Sequence, residues 1–319
     1  MPEVTRSQVT VKRKSSKAAK LKRWLPVYIM MAPALVYLFI NNYIPMAGIV
    51  IAFKKMDYNS GIWKSPWYGL KNFEFLFSTQ DAFIITRNTL LYNLAFIIVN
   101  TVCGILLAVF ITEIRHKRAK KLYQSIILVP FLMSMVILSY IVYAFLSGEN
   151  GFINNVILPL FGNEEGINWY MEAKYWPFII VLVNTWKNLG YGCLIYIATM
   201  NGIDRALYEA ASLDGAGRLK QIRHITLPSL KGTVITLTLL NIGRIFYSDF
   251  GLFYQVPQNS GQLLSTTNVI DTYVYRALIS LGNTGMSAAA GLYQSLVGFV
   301  LILISNLIVR RSDPDSAIF

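Results

Sequence analysis

Charge is scarce in this chain. Only 14% of its 319 residues are charged, where a water-soluble domain carries nearer a quarter. With 55% hydrophobic residues and a mean hydropathy of +0.47, the composition points to lipid rather than to a large water-soluble core. Cysteine and histidine each occur only twice. Cys103 and Cys193 fall in apolar stretches and read as small buried side chains, with no disulfide or metal framework. His116 and His224 lie in basic loops, and no H-E-x-x-H or serine–lysine constellation accompanies them, which argues against a membrane-embedded enzyme. The phosphate-cradling pattern G-x-x-x-x-G-K-[ST] is also missing, so any ATP is expected to bind elsewhere. There is no internal repeat, no alternating ten-residue barrel pattern and no segment that reads as a soluble domain.

What is present is long and apolar. Crossing the hydrocarbon takes about 20 mostly apolar residues. Six stretches qualify, at about 25–53, 84–112, 122–146, 177–200, 233–253 and 286–309. Backbone polar groups cannot stay unpaired in lipid, so each is read as a helix, giving an all-α membrane protein with six transmembrane helices. Pro33 and Pro45 predict a bend or break in the first span.

The formal net charge of +13 could suggest nucleic acid. Its distribution argues otherwise. Eight Lys or Arg lie in 1–23, five in 115–121, five in 205–231 and two at 310–311, whereas the alternate loops hold seven. The positive-inside rule then places both termini in the cytoplasm, in agreement with an even number of spans. Residues 1–24 read as a basic, disordered cytoplasmic tail attracted to anionic lipid. The apolar stretch that follows is too long for a signal peptide and reads as an uncleaved anchor. One membrane domain covers 25–311, and 312–319 form a short cytoplasmic tail.

A polar loop at 201–231 interrupts the apolar pattern. Asp204 can cap a helix over 205–213, because its carboxylate accepts free first-turn amides. Gly215 and Gly217 predict a sharp turn. A second helix, about 218–226, is expected to end before Pro228. Two short helices joined by a glycine elbow make a stiff unit. Ala210, Ala211 and Ala216 leave room for a partner to approach closely, and Glu209 offers an anchor for a basic side chain on it. The alternative is an ordinary interfacial helical hairpin.

The spacing Glu209-Ala210-Ala211, then Asp214-Gly215, then Ile225-x-Leu227-Pro228 resembles the coupling loop of ABC importer permeases. The likeness extends to Gly69-Leu70-Lys71-Asn72-Phe73, to Arg87-Asn88-Thr89-Leu90, and to the run from Trp186 through Gly190-Tyr191 to Ala198. Asn241 to Phe246, Val269 to Arg276 and Gly285 to Ser295 resemble the carbohydrate subgroup that takes up products of polysaccharide breakdown. The match covers roughly 28–319. It implies a type I ABC importer transmembrane domain in the bacterial cytoplasmic membrane. The implied partners are a second homologous permease, two ATPase subunits that bind ATP and Mg, and an external sugar-binding protein. Glu209 to Gly215 would enter a cleft of one ATPase.

Intramembrane polar residues are costly and usually face a cavity or a bundle interior. In the fourth span, Asn184, Lys187, Asn188 and Tyr191 share one helix face, as do Asn241, Arg244 and Ser248 in the fifth, with Asp249 adjacent. Asn93 and Asn100 share a face of the second span. Tyr293 and Gln294 lie in the sixth. Amides and cations suit sugar hydroxyls, and the faces of Trp186, Tyr191, Tyr247 and Tyr293 suit apolar sugar faces. Lys187 and Arg244 could attract a uronate carboxylate. The alternatives are interhelical hydrogen bonds and a purely structural Arg244–Asp249 pair. An ion-driven secondary transporter is disfavoured, because spans two, three, four and six lack a mid-depth carboxylate. An ABC permease for another solute, such as glycerol phosphate, is the closer rival.

Overall fold

The computed structural model describes residues 17–74, 78–162 and 165–312. The chain divides into two bodies, one up to Val50 and one from Ile51 onward. The first body holds α1 (Lys17–Leu38), a wide π turn at Phe39–Tyr43, and a short helix at Ile44–Met46. The helix therefore starts at Lys17, inside the segment expected to be a disordered tail, and residues 1–16 lie outside those described. It also runs unbroken through Pro33. At Pro45 the backbone does adjust. The amide of Ile44 reaches back to the carbonyl of Phe39, five residues away. A proline ring clashes with the carbonyl four residues before it, and the wider turn relieves that clash. The same device recurs at Ile153–Ile157 before Pro159 and at Ile222–Thr226 before Pro228.

The second body is built around α2 (Gln80–Glu113). Next come α3 (Lys117–Leu132), α4 (Met135–Leu146) and α5 (Trp176–Asn201). The loop contributes α6 (Arg205–Leu213) and α7 (Arg218–Gln221), the latter continuing through the wide turn to Ser229. The remainder is α8 (Lys231–Ile242), α9 (Phe250–Gln255), α10 (Ile270–Ile279) and α11 (Thr284–Ser312). Four stretches, Trp24–Phe53, Gln80–Glu113, Ala173–Asn201 and Thr284–Arg311, are long and apolar enough to cross a membrane; two bent pairs raise the number to six.

Two expected spans are not single helices. The third bends by 97° between α3 and α4. Pro130 weakens the last turn of α3, and Ser134 starts α4 afresh, its Oγ accepting from Ile137 N at 3.3 Å. The fifth loses helicity after Ile242 and regains it only at Phe250. Asn241, Arg244 and Ser248 therefore do not form one helical stripe.

Helix α5 is the central post, packed along α2 and against α3. Its upper apolar residues, Trp176, Ile180 and Val183, join Tyr92 and Phe96 of α2, Leu138 of α4 and Phe253 of α9. Its other end buries Cys193, Tyr196 and Ile197 against Ala108 and Ile111. Close approach requires Gly190. A Cβ there would lie 2.0 Å from the carbonyl oxygen of Ile127 on α3. That obstacle is backbone and cannot rotate away. Gly190→Ala is expected to push α3 off α5 and cost about 1–3 kcal/mol. Thermal unfolding of the detergent-solubilised protein reads this, and an unshifted melting temperature would show that the contact is dispensable.

Candidate functional site

A cavity of about 420 Å³ opens between α2, α5, α8 and the non-helical stretch that follows α8. The two long helices turn asparagines toward it: Asn93 and Asn100 from α2, Asn184 and Asn188 from α5. A fifth, Asn241, stands at the end of α8, beside Arg244, Tyr247 and Asp249 from the stretch beyond. Tyr191 and Tyr196 give the aromatic lining from α5.

Local chemistry fixes where these groups are free. Asn93 and Asn188 each donate an amide proton to the carbonyl one turn earlier, Thr89 O at 2.9 Å and Asn184 O at 3.0 Å. Their side-chain oxygens stay available to an incoming hydroxyl. Asn100 Nδ2 donates across the helix pair to Asn184 Oδ1 at 3.0 Å. Asn100 Oδ1 is buried without a partner among the described residues, the kind of acceptor that a ligand hydroxyl satisfies. Arg244 has no side-chain partner among the described residues, so the alternative Arg244–Asp249 pair is not formed. Asp249 instead caps α9, accepting from Leu252 N at 3.1 Å. The cavity thus offers one unpaired cation among neutral amides, with the carboxylate of Asp249, engaged in capping α9, also in its wall.

Five candidates point elsewhere. Lys187 sits near the asparagine face, but its Nζ donates to Phe131 O at 3.3 Å and Met133 O at 2.6 Å, where α3 ends. Trp186 is exposed on the outer side of α5 and does not line the cavity. Tyr293 packs edge-on against Phe246, with ring centroids 6.0 Å apart. Gln294 donates to Phe246 O at 2.6 Å and to Asp271 Oδ2 at 3.0 Å. Ser248 contributes its backbone amide to Asp271 rather than its hydroxyl to the cavity.

The polar loop is braced. Asp204 accepts from Ala206 N at 2.9 Å and starts α6. Gly215 adopts φ +76°, a left-handed angle that closes the helix cheaply only for glycine. Ala216 N then bonds back to Ala211 O at 2.8 Å. The helix after the elbow does not stop before Pro228, because the wide turn at Ile222–Thr226 carries it past. Two rungs join the arms. Tyr208 and Thr226 share a hydroxyl contact of 2.9 Å, and buried Gln221 donates to Ser212 Oγ at 2.8 Å and to Ala216 O at 3.1 Å. Glu209 opens onto a second cavity lined also by Arg115, Lys120, Arg205 and Arg218. Ala210, Asp214 and Pro228 are exposed, and Ile225 is half-buried. Leu213 and Leu219 stand 90% and 82% exposed beside the elbow.

Residues 100–314 match the family of binding-protein-dependent transport system inner membrane components. The chain belongs to that family. Its relatives include the polygalacturonan/rhamnogalacturonan transport system permease protein YteP of Bacillus subtilis, 35% identical over 91% of this chain and 89% of that one. Protein LplB of the same organism is 35% identical over 93% of this chain and 92% of its own length. Among solved structures, a bacterial ABC transporter involved in the import of the acidic polysaccharide alginate superposes with a TM-score of 0.83. It is 29% identical and covers 92% of this chain and 97% of the other. The fold of this inner-membrane component is that of a type I ABC importer permease. Periodicity did not reveal the roles of Gln221 and Asp271 as internal braces. Gln221 bonds across the elbow to Ser212 and Ala216, which helical spacing does not place, and Asp271 joins residues 23 positions away on either side.

Proposed function

We propose that this chain is the substrate-path subunit of an ATP-driven importer that carries oligosaccharides, uronate-containing ones above all, into the bacterial cytoplasm. The observation that carries this reading is the cavity, in which unpaired Arg244 stands among five asparagines and three tyrosines inside an apolar helical body. Amides bind hydroxyls, tyrosine faces cover apolar sugar faces, and a guanidinium takes a carboxylate bidentately. The relatives named for polygalacturonan, rhamnogalacturonan and alginate support the same class.

The loop 201–231 supplies the drive. Its elbow, with Glu209 to Ala216 presented at the surface, fits a cleft on an ATPase subunit that binds ATP and Mg. Ile225 and Pro228 shape the return arm. The assembly has a second, homologous permease, two ATPases and an external sugar-binding protein. A solved relative complexed with a pentasaccharide-bound periplasmic protein supports that last partner. Both termini and the loop face the cytoplasm, as the basic residues favour. ATP binds one conformation better than the other and so shifts the population between inward- and outward-open states.

The complete complex, reconstituted in proteoliposomes with its binding protein, tests this. ATP-dependent uptake of uronate oligosaccharides is expected, and Arg244→Ala should lower it about 10- to 100-fold, the worth of a charge-assisted hydrogen bond. Neutral oligosaccharides of equal length should lose little. Equal loss for both would remove charge recognition, and preferred uptake of glycerol phosphate would replace the sugar reading.

A further inference from the structure

The stretch Gly243–Asp249 brings Arg244, Tyr247 and Asp249 to the cavity, yet it lies outside any helix. Backbone without a hydrogen-bond ladder holds one shape only when its peptide groups find partners elsewhere. Most ties here are local, such as Tyr247 N to Arg244 O at 2.8 Å. Two reach outward. Ser248 N donates to Asp271 Oδ2 on α10 at 2.7 Å, and Phe246 O accepts from Gln294 Nε2 on α11 at 2.6 Å. The same Gln294 nitrogen also donates to Asp271 Oδ2 at 3.0 Å. One carboxylate oxygen therefore links the stretch to both helices of the α10–α11 hairpin. Phe246, 2% exposed, is wedged into the core with Ile85, Ile270 and Ala289. Asp271 itself does not line the cavity. The Ser248 hydroxyl has no partner among the described residues, so it is the peptide of Ser248 that is held.

We infer that Asp271 is a positioning residue for transport. From behind the cavity wall its carboxylate fixes the Ser248 peptide and thereby the backbone that aims Arg244, whereas the Tyr247 hydroxyl has its own contact with Ser295. The inference rests on the reading of Arg244 as the contact for an acidic sugar. Both bonds fall on Oδ2, so an amide oxygen in its place can accept them, whereas alanine offers no acceptor.

The test is uptake by the reconstituted complex with acidic and neutral oligosaccharides of one length. Asp271→Ala should lower acidic uptake about tenfold and neutral uptake no more than about threefold, while Asp271→Asn stays within about threefold for both. The double variant Arg244→Ala/Asp271→Ala should transport acidic sugar no worse than Arg244→Ala alone, because residues acting through one group are not additive. A merely structural role gives equal loss for both sugars and multiplied effects in the double variant, and either result overturns the proposal. If Asp271→Ala does not assemble with its partners, Gln294→Ala removes both the bond to Asp271 Oδ2 and the bond to Phe246 O that tie the stretch to α11, and should show the same bias toward acidic loss; no bias overturns the proposal. If Arg244→Ala itself shows no acidic bias, the reading of Arg244 fails first. If Arg244→Ala is biased and Asp271→Ala is not, the positioning role alone is wrong.

Discussion

Gly215→Pro should abolish ATP-driven uptake while leaving the protein inserted in the membrane. Proline fixes φ near −65°, and Gly215 stands at +76°. The substitution also deletes the amide that donates to Ser212 O at 3.1 Å. The elbow then has no way to close, at a cost of about 3 kcal/mol or more. The apolar helices that cross the membrane do not include this residue, so yield in the membrane fraction should hold. Glu209→Lys should have the same outcome by a different route. It reverses a charge presented beside Arg115, Lys120 and Arg205, while Arg218 is already paired with Glu113 at 3.7 Å, so a further cation there adds to an excess of positive charge. Membrane yield, co-purification of the ATPases and uptake are the three measurements. Normal uptake by both variants would count heavily against the loop as a docking element.

Lys187→Met is the second large effect. The ammonium of Lys187 holds Phe131 O and Met133 O, at the point where α3 stops and the chain turns by 97°. Methionine keeps an apolar stem of similar length and removes every donor. Two carbonyls then lose their partner in a region without bulk water, at a cost of about 1.5–3 kcal/mol for a charge-assisted bond. The consequence reaches the cavity, because Phe131 stacks on Tyr191 with centroids 4.8 Å apart. Uptake should drop about tenfold or more, and the melting temperature should fall with it. Acidic and neutral substrates should suffer alike, unlike the result for Arg244→Ala. A selective loss of acidic substrate would instead return Lys187 to the role of a sugar contact.

How far the sequence could be read depends on the range of the interactions. The cap at Asp204 and the left-handed Gly215 follow from residues within a few positions, and the pattern placed both. The asparagine face of α5 followed from helical spacing. Spacing gives the face of a helix but not the reach of a long side chain, so Lys187 left its expected company for the end of α3. The break after Ile242 was hidden because Ile245 and Phe246 continue the apolar run. Gly243 and the capping Asp249 were its only local signals. The wide turn before Pro228 carries no residue signature beyond the proline, and a stop there was the natural expectation.

The bare leucines beside the elbow have a consequence for manufacture in the cell. Leu213 and Leu219 are held apart from the helical body by a braced turn that cannot fold over them. Covering a leucine is worth about 1.5–3 kcal/mol. If the elbow docks on an ATPase as proposed, a copy synthesised without that partner leaves these two leucines bare. Overproducing this chain by itself is then expected to yield more aggregate than producing it together with that partner.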